Sequence, residues 1–162
     1  MGGLRIIMAV KNRKIKVRLR LVIIKNSKLL VTYDSVDDYY YYLGGKLEFG
    51  ETIKEGAIRE IKEELGNNIR FTFKKILYIR DFLQPEKDEH SLELFILGEV
   101  NKFMELEHHL DPEHGDKKWA TWLDIKNLPD NLYPKPLSRK LLDDYRESFT
   151  HTGEYVGKMD SK

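Results

Sequence analysis

The chain has 162 residues, 41% of them hydrophobic, which suffices for one compact domain with a real core and falls short of two comfortable ones. Its 28 basic and 27 acidic residues leave a formal charge of +1, so no global field draws it to nucleic acid or to an anionic membrane, and a charged partner has to be met locally. With no cysteine, disulfides, thiolate metal sites and a cysteine nucleophile are excluded, in keeping with a reducing compartment.

In chain order, the run LRIIMAV is too short for a spanning helix and is followed by KNRKIKVRLR rather than by a small-residue cleavage site. The expectation is a soluble, cytoplasmic protein. Ile15, Val17, Leu19 and Leu21 then alternate with Lys16, Arg18 and Arg20, the period of a half-buried strand. Asn26-Ser27 interrupts the pattern before LLVTY resumes it, so residues 15–33 read as a β-hairpin. The stretch SVDD is a loop, and Tyr39 to Tyr42 lead into Gly44-Gly45. The segment from Glu51 to Gly66 is marked as a helix at both ends: Thr52 and Glu55 have capping-box spacing, and Gly66 can close the last turn. Ile53, Ala57, Ile58, Ile61 and Leu65 form its apolar stripe. Further strands are expected at about 70–80 and 91–100, with a short one at 117–124. Pro129, Pro134 and Pro136 punctuate the approach to a final helix, SRKLLDDYRE, and the polar end HTGEYVGKMDSK reads as mobile. Strands interleaved with two helices indicate a mixed α/β domain, with a core spanning about 14–150 and flexible ends.

Glu60, Glu63 and Glu64 are related by i+1, i+3 and i+4, which gathers their carboxylates within roughly 100° of arc beside the apolar stripe. Like charges at this spacing repel, and two arrangements offset the cost. One is a solvated face laced by Arg59 and Lys62, Arg59 being four residues from both Glu55 and Glu63. The other is a hard divalent cation, Mg²⁺ or Mn²⁺, whose preference for oxygen donors suits clustered carboxylates. The helix alone leaves both open.

Gly45, five residues, Glu51, seven residues and then REIKEELG resemble the Nudix box, G-x₅-E-x₇-R-E-aliphatic-x-E-E-x-G-aliphatic, at eight of nine defined positions. Asn67 departs from the aliphatic last position, and Leu43 and Phe49 stand where many members carry proline. The resemblance, to the MutT-like Nudix hydrolases, implies an α/β/α sandwich around a mixed sheet. It also implies a Mg²⁺- or Mn²⁺-dependent pyrophosphohydrolase that cuts a nucleoside diphosphate linked to another moiety. The default substrate is a nucleoside triphosphate, ordinary or oxidised, cut to monophosphate and pyrophosphate. The alternatives are an ADP-ribose or nucleotide-sugar hydrolase, or a non-catalytic nucleotide sensor.

Carried over residue by residue, the resemblance makes Glu63 and Glu64 the primary metal ligands, with the Gly45 carbonyl as a third. Glu60 is either a further ligand or the general base that takes the proton from the attacking water. Arg59 pairs with Glu51, which braces the loop, while Gly44 and Gly45 permit a tight backbone approach. Members often place another carboxylate before a tryptophan-bearing strand; of Asp111, Glu113 and Asp116, Glu113 is chosen for its spacing to Trp119. Outside the box, Arg18 and Arg20 either face phosphates or form a solvated strand face. Of the run Tyr39 to Tyr42, which either stacks on a base or packs, Tyr42 is taken as the substrate-binding ring. The five histidines lack zinc-ligand spacing. The expected partner is a nucleotide-type small molecule met by a monomer or homodimer, with no membrane and no specific nucleic acid.

Overall fold

A computed structural model describes residues 13–159, so the LRIIMAV run and residues 160–162 lie outside it. The chain runs through β1 (Lys16–Lys25), β2 (Lys28–Asp34), β3 (Tyr39–Tyr41), α1 (Ile53–Leu65), β4 (Phe71–Gln84) and β5 (Glu89–Val100). It continues through β6 (His109–Asp111), β7 (Gly115–Asp124), β8 (Leu132–Tyr133), α2 (Leu137–Arg146) and β9 (Glu154–Gly157).

The alternation along β1 sorts its side chains onto two faces. Leu19, Leu21 and Ile23 join Ala57, Ile61 and Leu65 of α1 in one buried cluster. Val22 belongs to a second, with Tyr42, Tyr78 and Phe95 from the sheet and Leu137 and Leu141 of α2. A helix on each face of a mixed sheet makes the α/β/α sandwich. Each such buried aliphatic side chain contributes about 1.5–3 kcal/mol.

β1 is the junction of the sheet. It runs parallel to β5 from Lys16 to Ile23, whereas β2 pairs with it only at Ile24–Lys25, next to the turn. Asn26 and Ser27 both take positive φ there, the backbone a two-residue hairpin turn requires. β4 lies antiparallel to β5 and carries β9 on its outer edge, while β2 is flanked by β7 and β3. Among the described residues, no helix is long and apolar enough to cross a membrane.

The hairpin, α1, the three longer strands and α2 stand where the sequence puts them; β3, β6, β8 and β9 are additions. These four have two to four residues each, too few for a period to declare itself, and they exist because a longer neighbour offers them hydrogen bonds. Within the polar end, β9 is held by the Gly153 amide on the Ile76 carbonyl (2.8 Å), by Lys140 on Glu154 (2.8 Å) and by Tyr155 on Asp81.

Candidate active site

Where β2 peels away, the vacated edge of β1 is taken by the loop before α1. The amides of Leu21 and Leu19 donate to the carbonyls of Leu43 and Gly45, and the Leu47 amide donates to the Val17 carbonyl, all at 2.8 Å. This brings the loop backbone against both the strand and α1. A Cβ on Gly44, whose φ is +125°, would lie 2.1 Å from the Leu19 carbonyl oxygen, and one on Gly45 would lie 2.6 Å from the Glu60 carboxylate. Position 44 therefore requires glycine, while a side chain at 45 would displace the Glu60 carboxylate from the loop.

α1 begins with the reciprocal capping box of Thr52 and Glu55 and ends at Gly66, whose amide bonds the Lys62 carbonyl. Its outer face is organised by Arg59. That guanidinium donates to both oxygens of Glu51 (2.6 and 3.0 Å), to Glu60 (2.8 Å), to Glu63 (3.1 Å) and to the Lys46 carbonyl (3.0 Å). Glu51 also accepts from the Glu48 amide (2.8 Å), so the arginine and the glutamate together tie residues 46–51 to the helix. Arg59 and the Glu48 amide hold the Glu51 carboxyl down at about 2.

The other carboxylates are less well compensated. Glu60 is 7% exposed, and its burial raises its pKa against the pull of Arg59. Glu64 is pushed up to about 8, chiefly by burial and further by the charges of Glu60 and Asp111. The Gly44 amide (3.0 Å) and the more distant Arg20 oppose that shift. Glu63 is more than half exposed and pairs with Arg59.

Asp111, at the end of β6, is thus within electrostatic reach of Glu64, whereas Glu113, chosen for its spacing to Trp119, is exposed in the following turn. The Glu113 backbone amide donates to Asp111 (2.8 Å), as does that of His114 (2.8 Å). Against the effect of its burial, these amides and the His114 ring hold Asp111 low. The turn chemistry of Asp-Pro-x-x-Gly, an aspartate accepting from amides two and three residues on, is the signal that spacing to the tryptophan overlooked.

On the opposite face of the sheet from α1, a trough of about 710 Å³ crosses β1, β5 and β4. Arg18 and Arg20 line it with Glu93, Arg80, Phe82 and Lys87; Tyr39, Tyr41, Tyr133 and Lys118 form the other wall. Alternation along the tyrosine run decides which rings are available. Tyr39 and Tyr41 stack on each other (5.5 Å between centroids), with Tyr133 edge-on to Tyr39 (6.0 Å), while Tyr40 turns to Tyr33 (4.7 Å). Tyr42, the ring singled out from sequence, is 1% exposed, packed edge-on against Phe95 and able to contact the trough only from beneath. The cations are paired: Arg18 with Glu89 (3.2 Å), Arg20 (2.9 Å) and Arg80 (2.6 Å) with Glu93, and Lys118 with Asp34 (3.3 Å). The trough and the helix carboxylates meet where Arg20 and the Tyr41 hydroxyl both feel the charge of Glu64.

As the side chains stand, no three acidic or histidine residues among the described ones converge on a single metal position. The donor chemistry nevertheless fits a hard divalent cation. Glu60 is a buried and Glu64 a partly buried carboxylate, both with raised pKa values and both beside the Gly44-Gly45 backbone, Glu63 is more than half exposed, and each of these donors is oxygen.

A family model described as "NUDIX domain" matches residues 16–144. Among curated proteins, the chain is similar to the NAD-capped RNA hydrolase NudC of Deinococcus radiodurans, 29% identical over 119 residues. The match takes in 74% of this chain and 39% of that protein, so the chain spans well under half the length of this relative. Among solved structures, a UDP-X diphosphatase matches with a TM-score of 0.65 at 16% identity, over 88% of this chain and 68% of the other. An ADP-ribose pyrophosphatase from Streptococcus suis matches with a TM-score of 0.60 at 18% identity, over 88% and 98%. At these identities the structural matches speak for the fold.

Proposed function

The chain belongs to the Nudix family of hydrolases, and from that premise we propose that it is a divalent-metal-dependent pyrophosphohydrolase acting on a nucleoside diphosphate linked to another moiety. The observation that carries the reading is the junction of two unlike surfaces. The partly buried carboxylate of Glu64, its pKa raised, lies within electrostatic reach of a basic, tyrosine-lined trough at Arg20 and Tyr41.

Glu63 and Glu64, with the Gly45 carbonyl and Glu60, would hold Mg²⁺ or Mn²⁺. The cation supplies neutralisation of the diphosphate and a lowered pKa for the attacking water. The chain's own groups do the rest. Arg59 and Glu51 fix loop 46–51 against α1, so the Gly45 carbonyl and the glutamates keep their relative positions. Glu60, with a raised pKa, is suited to accept a proton from water if it is not itself a ligand, whereas Asp111, held low, is the weaker base and is suited to stay charged toward the cation. Arg18 and Arg20 orient the phosphates, and Tyr39 and Tyr41 receive a flat base.

A nucleoside triphosphate, ordinary or oxidised, is the simplest substrate of this kind. A second reading, a diphosphate carrying a further group at its far end as in ADP-ribose or a dinucleotide, draws on the trough itself. Aromatic side chains stand on both walls, and most cations are already paired, which suits two phosphate charges better than four. The similarity to a protein named as an NAD-capped RNA hydrolase points the same way. The deciding experiment is phosphate and nucleotide release with Mg²⁺ or Mn²⁺ across nucleoside triphosphates, oxidised nucleotides, ADP-ribose, nucleotide sugars and dinucleotides. One substrate far ahead of the others names the class, and no turnover by folded, metal-loaded protein overturns the reading.

A further inference from the structure

Glu93 is an odd residue for its place. It sits in the lining of a trough read above as an anion site, 2% exposed, where its own charge opposes the binding of any phosphate. The sheet does not need it there, since a buried ion pair can be replaced by apolar packing at little cost in stability. Its hydrogen bonds suggest another reason for its presence. One carboxylate oxygen accepts from Nε of Arg20 (3.0 Å) and lies in ion-pair contact with its Nη2 (2.9 Å), and the other accepts from Nη1 of Arg80 (2.6 Å). β4 and β5 place Arg80 directly opposite Glu93. Arg80, itself 6% exposed, is held from behind by the Lys158 carbonyl, which accepts from its Nε (2.7 Å), just beyond β9. Among the described residues, Nη1 of Arg20 and Nη2 of Arg80 have no hydrogen-bond partner, and both guanidinium groups line the trough.

We propose that Glu93 is a positioning residue of the substrate site, clamping Arg20 and Arg80 side by side so that their free N–H groups receive the diphosphate. Through the Lys158 carbonyl, β9 and Lys158 become the back support of that site. This rests on the functional reading above. A guanidinium held at its Nε side by a carboxylate or carbonyl has its rotamer freedom removed in advance, which lowers the entropic cost of gripping a phosphate. The role concerns binding rather than the cleavage step, so its loss should appear in KM.

Two variants of the full chain test this, Glu93→Gln and Arg80→Lys; the second keeps the charge but cannot reach both Glu93 and Lys158 in a planar fork. Binding is read with ADP and Mg²⁺ by calorimetry, turnover on the fastest substrate of the panel, and order in residues 154–157 by amide hydrogen exchange. The expected result is a rise of about tenfold or more in the ADP dissociation constant and in KM, with kcat within about threefold of native. ADP should also slow exchange in β9 of the native chain and fail to do so in the variants. Folded variants that bind ADP within about twofold of native, or a β9 whose exchange ignores ADP in the native chain, would overturn the proposal and leave the functional reading standing. Should Glu93→Gln not fold, Arg80→Lys decides. A native chain that neither binds ADP nor turns over any member of the panel removes both.

Discussion

The two halves of the site treat charge in opposite ways. On and just before α1, Glu51, Glu60 and Glu63 all lean on the single guanidinium of Arg59, and among the described residues Glu64 is hydrogen-bonded by the Gly44 amide alone, so acid is in surplus. In the trough, Arg18 is answered by Glu89, Arg20 and Arg80 by Glu93, and Lys118 by Asp34, so the charge is nearly settled before a ligand arrives. A surface left out of balance invites a strong, compact counter-charge. One already balanced selects by shape and by the few N–H groups still free. The first suits the metal site proposed above and the second the proposed recognition site.

Altering the surplus should produce the largest effect. Glu64→Gln is expected to lower turnover by on the order of 10³-fold with secondary structure and melting temperature preserved, because glutamine has the shape of the protonated carboxyl that a pKa of about 8 favours in metal-free protein but cannot supply the anionic oxygen. Unfolding along with the loss of activity would show the residue to be structural. Arg59→Ala deepens the surplus: kcat should fall about 10–100-fold, as for residues that orient ligands. Its melting temperature in metal-free buffer should drop and be partly restored by Mg²⁺, a rescue that a purely structural arginine would not give. On the balanced side, Tyr41→Ala removes a stacking face, and KM should rise about fivefold or more with kcat little changed. A fall in kcat alone would place Tyr41 with the chemistry.

The smallest effect concerns the balance itself. Lys16 (2.6 Å), Ser91 (2.8 Å) and Arg18 (3.2 Å) hold the Glu89 carboxyl down at about 2. A carboxyl depressed in the folded state stabilises it above the ordinary value near 4.5, and that contribution is lost as pH falls toward 2. Glu89→Gln should therefore flatten the decline in unfolding free energy between those limits, by about 1 kcal/mol or less. An unchanged acid limb would mean that the pair contributes nothing.

The same contrast explains what could be read from the sequence. α1 declared itself because cap, stripe and carboxylates are related by steps of three and four along one segment, and Arg59 and Glu51 lie within eight residues of each other. The trough did not. Arg20, Arg80, Glu93, Lys118 and Tyr133 come from five strands, and only pairing between strands brings them together. Glu93 in SLELFILGEV looks like an ordinary outward residue until both of its arginines are in view. Arg18 and Arg20 were legible as a face, since alternation is local, but not their partners. Tyr42 was chosen over Tyr39 and Tyr41 because four identical rings in a row carry no sign of which side is covered.

β1 is a single length standard for both halves. Its side chains set where Arg18 and Arg20 stand, while its backbone holds Leu43, Gly45 and Leu47 in step. Removing one residue between Val17 and Leu21 would reverse the two faces, turn the arginines toward α1 and shift the glycine loop out of step in the same event. Side chains on either half can change independently, but length in this strand cannot. The hairpin turn at Asn26-Ser27, beyond the last residue that either half uses, is the nearest place along the strand where an insertion would leave both intact.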